Sequence, residues 1–258
     1  MPTPTDLIAL ADKFPASAPE LPCFHSSTLE YYAPILKRKR LRPFRCTATE
    51  PALVYLFYGH PAYVRKPVIA GLPKFRPFCI VLQPGWETQP YEAYPFDTGA
   101  YLAGLYQPHL GGEPALAAFR LEDLPGQVQR VVSAFFDNNS GYVRGNGRRP
   151  RGCPKSLTGL TALFTGTDTP LQCDIRSRTI EVRTLAPVLL TRAVLALILP
   201  RSLVRDSRKM KILHDVTAGR PIEVVFYDDE TPFNPTVDAG AVRQLAMDFL
   251  RRRGYLRD

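Results

Sequence analysis

The segment Asp174-Ile175-Arg176-Ser177-Arg178-Thr179-Ile180-Glu181-Val182-Arg183, followed by Pro187-Val188-Leu189-Leu190 and by Val194-Leu195-Ala196-Leu197-Ile198-Leu199-Pro200, decides how the rest of the chain is read. Thr179 to Thr184 and Val194 to Leu199 are rich in β-formers, so each is predicted as a strand. Glu181 stands inside the first of them. A carboxylate in a β-branched run is locally unfavourable unless its face is wet or the group has work to do. The apolar run from Val188 to Leu199 is broken by Arg192 and falls short of the roughly 20 residues that cross a bilayer, so no membrane span is predicted.

Toward the N-terminus, Leu21 to His25 reads as the first strand and runs into Ser27-Thr28-Leu29-Glu30, which has capping-box spacing. Leu29, Tyr32, Ala33 and Leu36 then form one helical face, with Pro34 expected to kink the helix and Lys37-Arg38-Lys39-Arg40 at its end. Two further strand-like runs, Ala52 to Tyr58 and Phe78 to Leu82, are joined through Gly59-His60-Pro61-Ala62-Tyr63. Low periodicity marks Pro84 to Leu110. Asp123 is placed to cap a helix bearing Leu124, Val128, Val131, Val132 and Phe135, and Asp137 to Gly159 reads as a Gly/Arg-rich loop. After the strand Pro221 to Tyr227 comes an amphipathic helix with Val242, Leu245, Ala246, Phe249 and Leu250 inward and Gly254 as its stop. Strands at both ends enclosing helices, without strict βαβ alternation, predict one α+β domain over residues 21–258, a leader over 1–20 and a helical or loop insertion around 84–175.

Net charge is +9 and the isoelectric point near 9.4, which favours polyanions and phosphate-bearing ligands as partners. Cys23, Cys46, Cys79, Cys153 and Cys173 contain no C-x-x-C pair, so neither a zinc site nor a disulfide framework is predicted. Reduced thiols, an N-terminus without a secretory pattern and the absence of a span together lead to the expectation of a cytoplasmic protein without a bound metal. Walker and Rossmann phosphate loops are also missing.

Pro22-Cys23-Phe24-His25-Ser26-Ser27 with its helix and Leu41-Arg42-Pro43, the run Leu53 to Tyr63 before Phe78 to Leu82, and the Glu181 strand with Pro187-Val188 occur in an order that resembles the ADP-ribosyltransferases of the diphtheria-toxin and poly(ADP-ribose)-polymerase type. The resemblance implies a split, mixed or antiparallel sheet with flanking helices, and NAD as a substrate. It implies that Glu181 holds the 2′-hydroxyl of the nicotinamide ribose and favours an oxocarbenium-like sugar, that His25 holds a ribose hydroxyl, and that groups near Ser26 and Ser27 read the nicotinamide amide. Tyr63, or alternatively Tyr55, is the aromatic that would stack on nicotinamide, and Arg42 or Arg45 would meet the diphosphate. The residue two before Glu181 is Thr179, where members that modify arginine carry Gln or Glu, so arginine is not the expected acceptor.

The cations Arg144, Arg148, Arg149, Arg151 and Lys155, with Tyr142 among them, read either as a nucleic-acid track or as a disordered loop. Three functions follow: transfer of ADP-ribose from NAD to a macromolecule such as DNA or RNA, in the setting of a bacterial toxin or defence effector; NAD hydrolysis at the same site; or a catalytically silent nucleotide- or nucleic-acid-binding module. Glu223 is the fallback carboxylate should Glu181 prove buried.

Overall fold

The computed structural model describes residues 4–46, 49–62, 72–86, 91–110, 116–121, 126–166, 175–229 and 234–257. In chain order they form α1 (Pro4–Ala11), β1 (Cys23–Thr28), α2 (Leu29–Arg38), β2 (Arg40–Leu41), β3 (Phe44–Cys46), β4 (Thr49–Tyr58), β5 (Pro77–Leu82), β6 (Glu92–Tyr94), α3 (Thr98–Leu102), α4 (Gln107–Leu110), α5 (Gln127–Phe136), α6 (Asn139–Arg144), α7 (Thr158–Thr165), β7 (Glu181–Thr184), β8 (Val188–Leu189), α8 (Leu190–Ala193), β9 (Val194–Pro200), α9 (Ser207–Thr217), β10 (Glu223–Tyr227) and α10 (Pro235–Arg252).

Among the described residues, an eight-stranded sheet runs in the order β10-β9-β5-β1-β4-β7-β6, with β3 added beside β4, while β2 and β8 pair as a separate ribbon. β10 and β9 are parallel and the remaining pairs antiparallel, so the sheet is mixed and the fold α+β, as the sequence predicts. α10 packs on β5, β9 and β10, and α2 packs on β1, β5 and α9. With helices against the sheet, Phe78, Ile80, Val81, Leu197 and Ile198 are fully buried. Burial on both faces of the sheet explains why β5 and β9 read as continuous apolar runs rather than alternating ones.

The sheet has one weak seam. β1 pairs with β5 along its whole length, from Cys23↔Leu82 to Thr28↔Pro77. It pairs with β4 only at Cys23↔Tyr58 and Phe24↔Phe57. From His25 onward the half-sheet β10-β9-β5-β1 and the half-sheet β4-β7-β6 part company.

Several local expectations change. The capping box does not form, because β1 continues to Thr28 and Ser27 stays in the ladder opposite Phe78, which leaves Thr28 as N-cap without a side-chain cap bond. The α2 helix continues through exposed Pro34 to Arg38. Residues of the first segment pack on the rest of the domain: Leu7, Leu10 and Ala11 are buried, α1 packs on α5, and the Ser17 hydroxyl donates to Asn139 Oδ1 at 2.6 Å. Asp123 lies outside the described residues, and Gly126 occupies the N-cap of α5.

The Gly/Arg stretch is the largest departure. Asn138 caps α6, its side chain accepting from the Gly141 N–H at 2.9 Å. Tyr142 is fully buried, its hydroxyl donating to the Tyr58 carbonyl at 2.8 Å and accepting from the Ile180 N–H at 2.9 Å. It therefore cannot stack on a base; it ties α6 to the ends of β4 and β7. Arg148 donates to the Ser133 carbonyl at 2.9 Å and the Ala134 carbonyl at 3.3 Å and pairs with Asp137 at 2.7 Å, which satisfies the open carbonyls at the C-terminus of α5. Glycine at 147 serves close approach rather than flexibility, since a Cβ there would lie 2.2 Å from the Phe164 carbonyl oxygen.

Replacing Tyr142 with Phe keeps the ring and strands one buried carbonyl and one buried N–H. A loss of about 2 kcal/mol in urea unfolding is expected, with near-native circular dichroism. A change within experimental error would show that water replaces the hydroxyl.

Candidate active site

Glu181 sits at the start of β7, paired with Phe57 of β4 on one side and Tyr94 of β6 on the other. Only 2% of it is exposed. Its carboxylate is met by Thr98 at the start of α3: the Thr98 N–H donates to Oε2 at 3.1 Å and the Thr98 hydroxyl to Oε1 at 2.6 Å. Thr98 opens α3, whose N-cap Asp97 accepts from the Ala100 N–H at 2.7 Å. Burial, and then the neighbouring Asp97 carboxylate, push the Glu181 acid up to about 8, against the pull of the Thr98 bonds and Arg183. Both effects disfavour the charged form of the group.

Arg183 follows two residues later on the same face of β7, by the period of a strand. It donates to Glu92 at 2.8 and 2.9 Å, to the Tyr94 hydroxyl at 2.9 Å and to the Thr98 hydroxyl oxygen at 3.3 Å, and its guanidinium lies 4.3 Å from the Tyr94 ring centre. Glu181, Thr98, Arg183, Glu92 and Tyr94 form one network across β6, β7 and the start of α3. Asp97, Thr98, Arg183 and Tyr94 carry no role in the sequence reading. The spacing Glu181-Val182-Arg183 is the one signal for this network in the sequence, since residues i and i+2 of a strand share a face.

His25 lies where the sheet parts. Its half-buried ring reaches across to β4, with Nδ1 3.0 Å from the Tyr55 carbonyl. A carbonyl only accepts, so Nδ1 carries the hydrogen and Nε2 keeps its lone pair. Burial holds the ring below the ordinary 6.5, and it is neutral at neutral pH. The Pro22 carbonyl accepts from the Gly59 N–H at 2.9 Å, whereas the Leu29 N–H turns the other way, to Arg76. Antiparallel alternation from these two anchors turns the N–H and C=O of Ser26 toward β4, where the β1–β4 pairing has already ended.

β4 lies between β1 and β7, so His25 and Glu181 are not on neighbouring strands; they stand two strand spacings apart, roughly 10 Å. Ser26 and Ser27 are half-buried on β1, Tyr55 is half-buried on β4, and Arg42 and Arg45 are exposed around β3. Tyr63 and Asp174 lie outside the described residues. Arg144, Arg149, Arg151 and Lys155 are exposed. Glu223 is ruled out as the fallback. It pairs with Arg252 and Arg253 and stands five strands from Glu181, roughly 24 Å away at the far edge of the sheet. Among the described residues no group of three His, Cys, Asp or Glu is placed to hold a metal, and no helix is long and apolar enough to cross a membrane.

The fold and site thus define an α+β domain with a parted sheet and a buried carboxyl beside the seam. No protein-family model matches the chain, and no curated protein matches it by sequence. Among the solved structures similar to it are two of DarT from Thermus sp. 2.9. The one in complex with ADP-ribosylated ssDNA has a TM-score of 0.44 and 9% identity over 83% of this chain and 97% of that one. The one in complex with NAD+ has a TM-score of 0.42 and 10% identity over 84% of this chain and 100% of that one.

A carboxyl raised from 4.5 to about 8 makes stability depend on pH. The unfolded chain loses this proton first, so the contribution of Glu181 is complete below about pH 4.5 and is lost as pH rises through about 8. Chemical unfolding between pH 5 and pH 9 should show a decline on the order of a few kcal/mol, which flattens in Glu181→Gln. Parallel curves for the two proteins would mean that Glu181 is ionised throughout.

Proposed function

We propose that this chain is an NAD-dependent ADP-ribosyltransferase that transfers ADP-ribose to nucleic acid. The observation that carries the reading is the parting of β1 from β4 beside Glu181, which sets an unpaired N–H and C=O at Ser26 roughly 10 Å from a carboxyl. A planar carboxamide matches an adjacent backbone donor and acceptor. The distance onward suits a ribose attached to the ring that carries the amide.

In this reading the nicotinamide amide is held on Ser26, Nε2 of His25 accepts a ribose hydroxyl, and Glu181 accepts another. The pyridinium charge of NAD favours ionisation of Glu181, so substrate arrival itself helps to generate the carboxylate. The bond between C1′ and the nicotinamide nitrogen breaks, the electron pair leaving with neutral nicotinamide. Glu181 stabilises the cationic sugar, and a lone pair of the acceptor forms the new bond at C1′ while its proton is released. Arg42 and Arg45 are assigned to the diphosphate, and Tyr55 or Tyr63 to the nicotinamide ring.

Arg149, Arg151 and Lys155, exposed and without ion pairs among the described residues, are assigned to the acceptor; Arg148 is not, because it caps α5. Labelled NAD, offered alone and with DNA, RNA or protein, tests the whole reading. Transfer of label to nucleic acid is expected. Nicotinamide release without transfer indicates an NAD glycohydrolase, and neither signal indicates a binding module that lacks activity.

Glu181→Gln keeps the size and one acceptor oxygen and removes the charge. Turnover should fall about a hundredfold or more with NAD affinity nearly unchanged, the pattern of an interaction made in the transition state. Retention of full activity would exclude this mechanism. For the acceptor, replacing Arg149, Arg151 and Lys155 together with Ala should weaken binding of a single-stranded oligonucleotide and flatten its salt dependence by about 0.7 per lost phosphate contact. Arg148→Ala should instead lower stability and leave the slope in place; the reverse pattern would assign the track to Arg148.

A further inference from the structure

Glu181 is carried by the sheet but fixed by the start of α3. Thr98 supplies a hydrogen bond to each carboxylate oxygen, at 3.1 and 2.6 Å. Its hydroxyl has one proton, which it gives to Glu181, and its oxygen receives Arg183 Nη1 at 3.3 Å. That oxygen therefore links the guanidinium to the carboxylate. Any residue at 98 but proline could provide the N–H; a hydroxyl is what can donate to one partner and accept from the other within this space. Thr98 is fully buried, and the turn that presents it is closed by Asp97 accepting from the Ala100 N–H.

We propose that Thr98 is the positioning residue for Glu181, fixing both carboxylate oxygens from one side and leaving their other lone pairs to accept ribose hydroxyls. A carboxylate has about four acceptor sites, so two remain after Thr98 is served. The assignment rests on reading Glu181 as the carboxylate that meets the ribose. The energetic direction agrees with the geometry. Burial and Asp97 oppose ionisation of Glu181, and the two Thr98 bonds, ahead of Arg183, are what favour it. The start of α3 thus supplies the part that makes a buried acid usable.

Thr98→Val removes the hydroxyl at nearly constant volume, and Thr98→Ser restores it. Two readouts are compared with wild type: the pH dependence of kcat/KM for NAD, and the titration of the Glu181 carboxyl by carbon NMR in glutamate-labelled protein. In Thr98→Val the carboxyl midpoint should move up by about one pH unit, the rising limb of kcat/KM should move with it, and kcat near neutrality should fall about tenfold, while Thr98→Ser stays close to wild type. An unchanged midpoint overturns the proposal. So does a faster Thr98→Val enzyme, which would mean that the contact blocks Glu181. If Thr98→Val does not fold, Arg183→Gln reads the same network: the midpoint must again rise, and constancy there is equally fatal. The NMR titration needs no turnover, so a wild-type protein inactive on NAD would defeat the transferase reading and leave this test standing.

Discussion

The architecture depends on the point at which β1 stops pairing with β4. β1 is fully satisfied on its β5 side, from Cys23 to Thr28, and β4 is engaged by β7 at Val54 to Phe57 and by β3 at Phe44↔Leu53. Each strand thus has its main partner away from the other, and the two meet at two residue pairs. A strand edge opened inside a domain leaves backbone groups that must find a partner. His25 uses its side chain to answer the Tyr55 carbonyl, and Ser26 is left with a donor and an acceptor directed at the opening. The gap beside Ser26 comes from a missing ladder.

Electrostatics gives the second layer. A carboxyl with 2% exposure beside another carboxylate resists ionisation, and two hydrogen bonds from Thr98, backed by one guanidinium, oppose that resistance. The balance of these effects leaves the carboxyl raised to about 8. His60 shows the contrasting case: fully enclosed, bonded to Thr179 at 3.2 Å and near Arg178 and Arg243, it is driven down to about 3 and stays neutral as part of the packing.

Much of the sheet was legible because β5, β7, β9 and β10 are marked by β-branched and aromatic runs, and the terminal helix by the spacing of Val242, Ala246, Phe249 and Leu250. Glu181 stood out as a charge in such a run. Local rules misled where tertiary contacts decide. Ser27 to Glu30 has capping-box spacing, yet β5, distant in sequence, holds Ser27 and Thr28 in the ladder opposite Phe78 and Pro77, so the helix starts one residue later than the box requires. Asn138 to Arg148 looks like a polar loop, but its glycines permit close approach and its Tyr and Arg bond backbone groups of other elements. Thr98 could not be linked to Glu181 by any pattern, because 83 positions separate two residues joined only by the fold.

The central claim, that the opening between β1 and β4 receives the nicotinamide end of NAD, is tested most directly by a crystal structure with a non-hydrolysable NAD analogue. The account predicts the carboxamide on the N–H and C=O of Ser26, the adjacent ribose within hydrogen-bond distance of Glu181, and a hydroxyl on Nε2 of His25. An analogue bound elsewhere on the domain, with β1 and β4 still parted and empty between them, would contradict it.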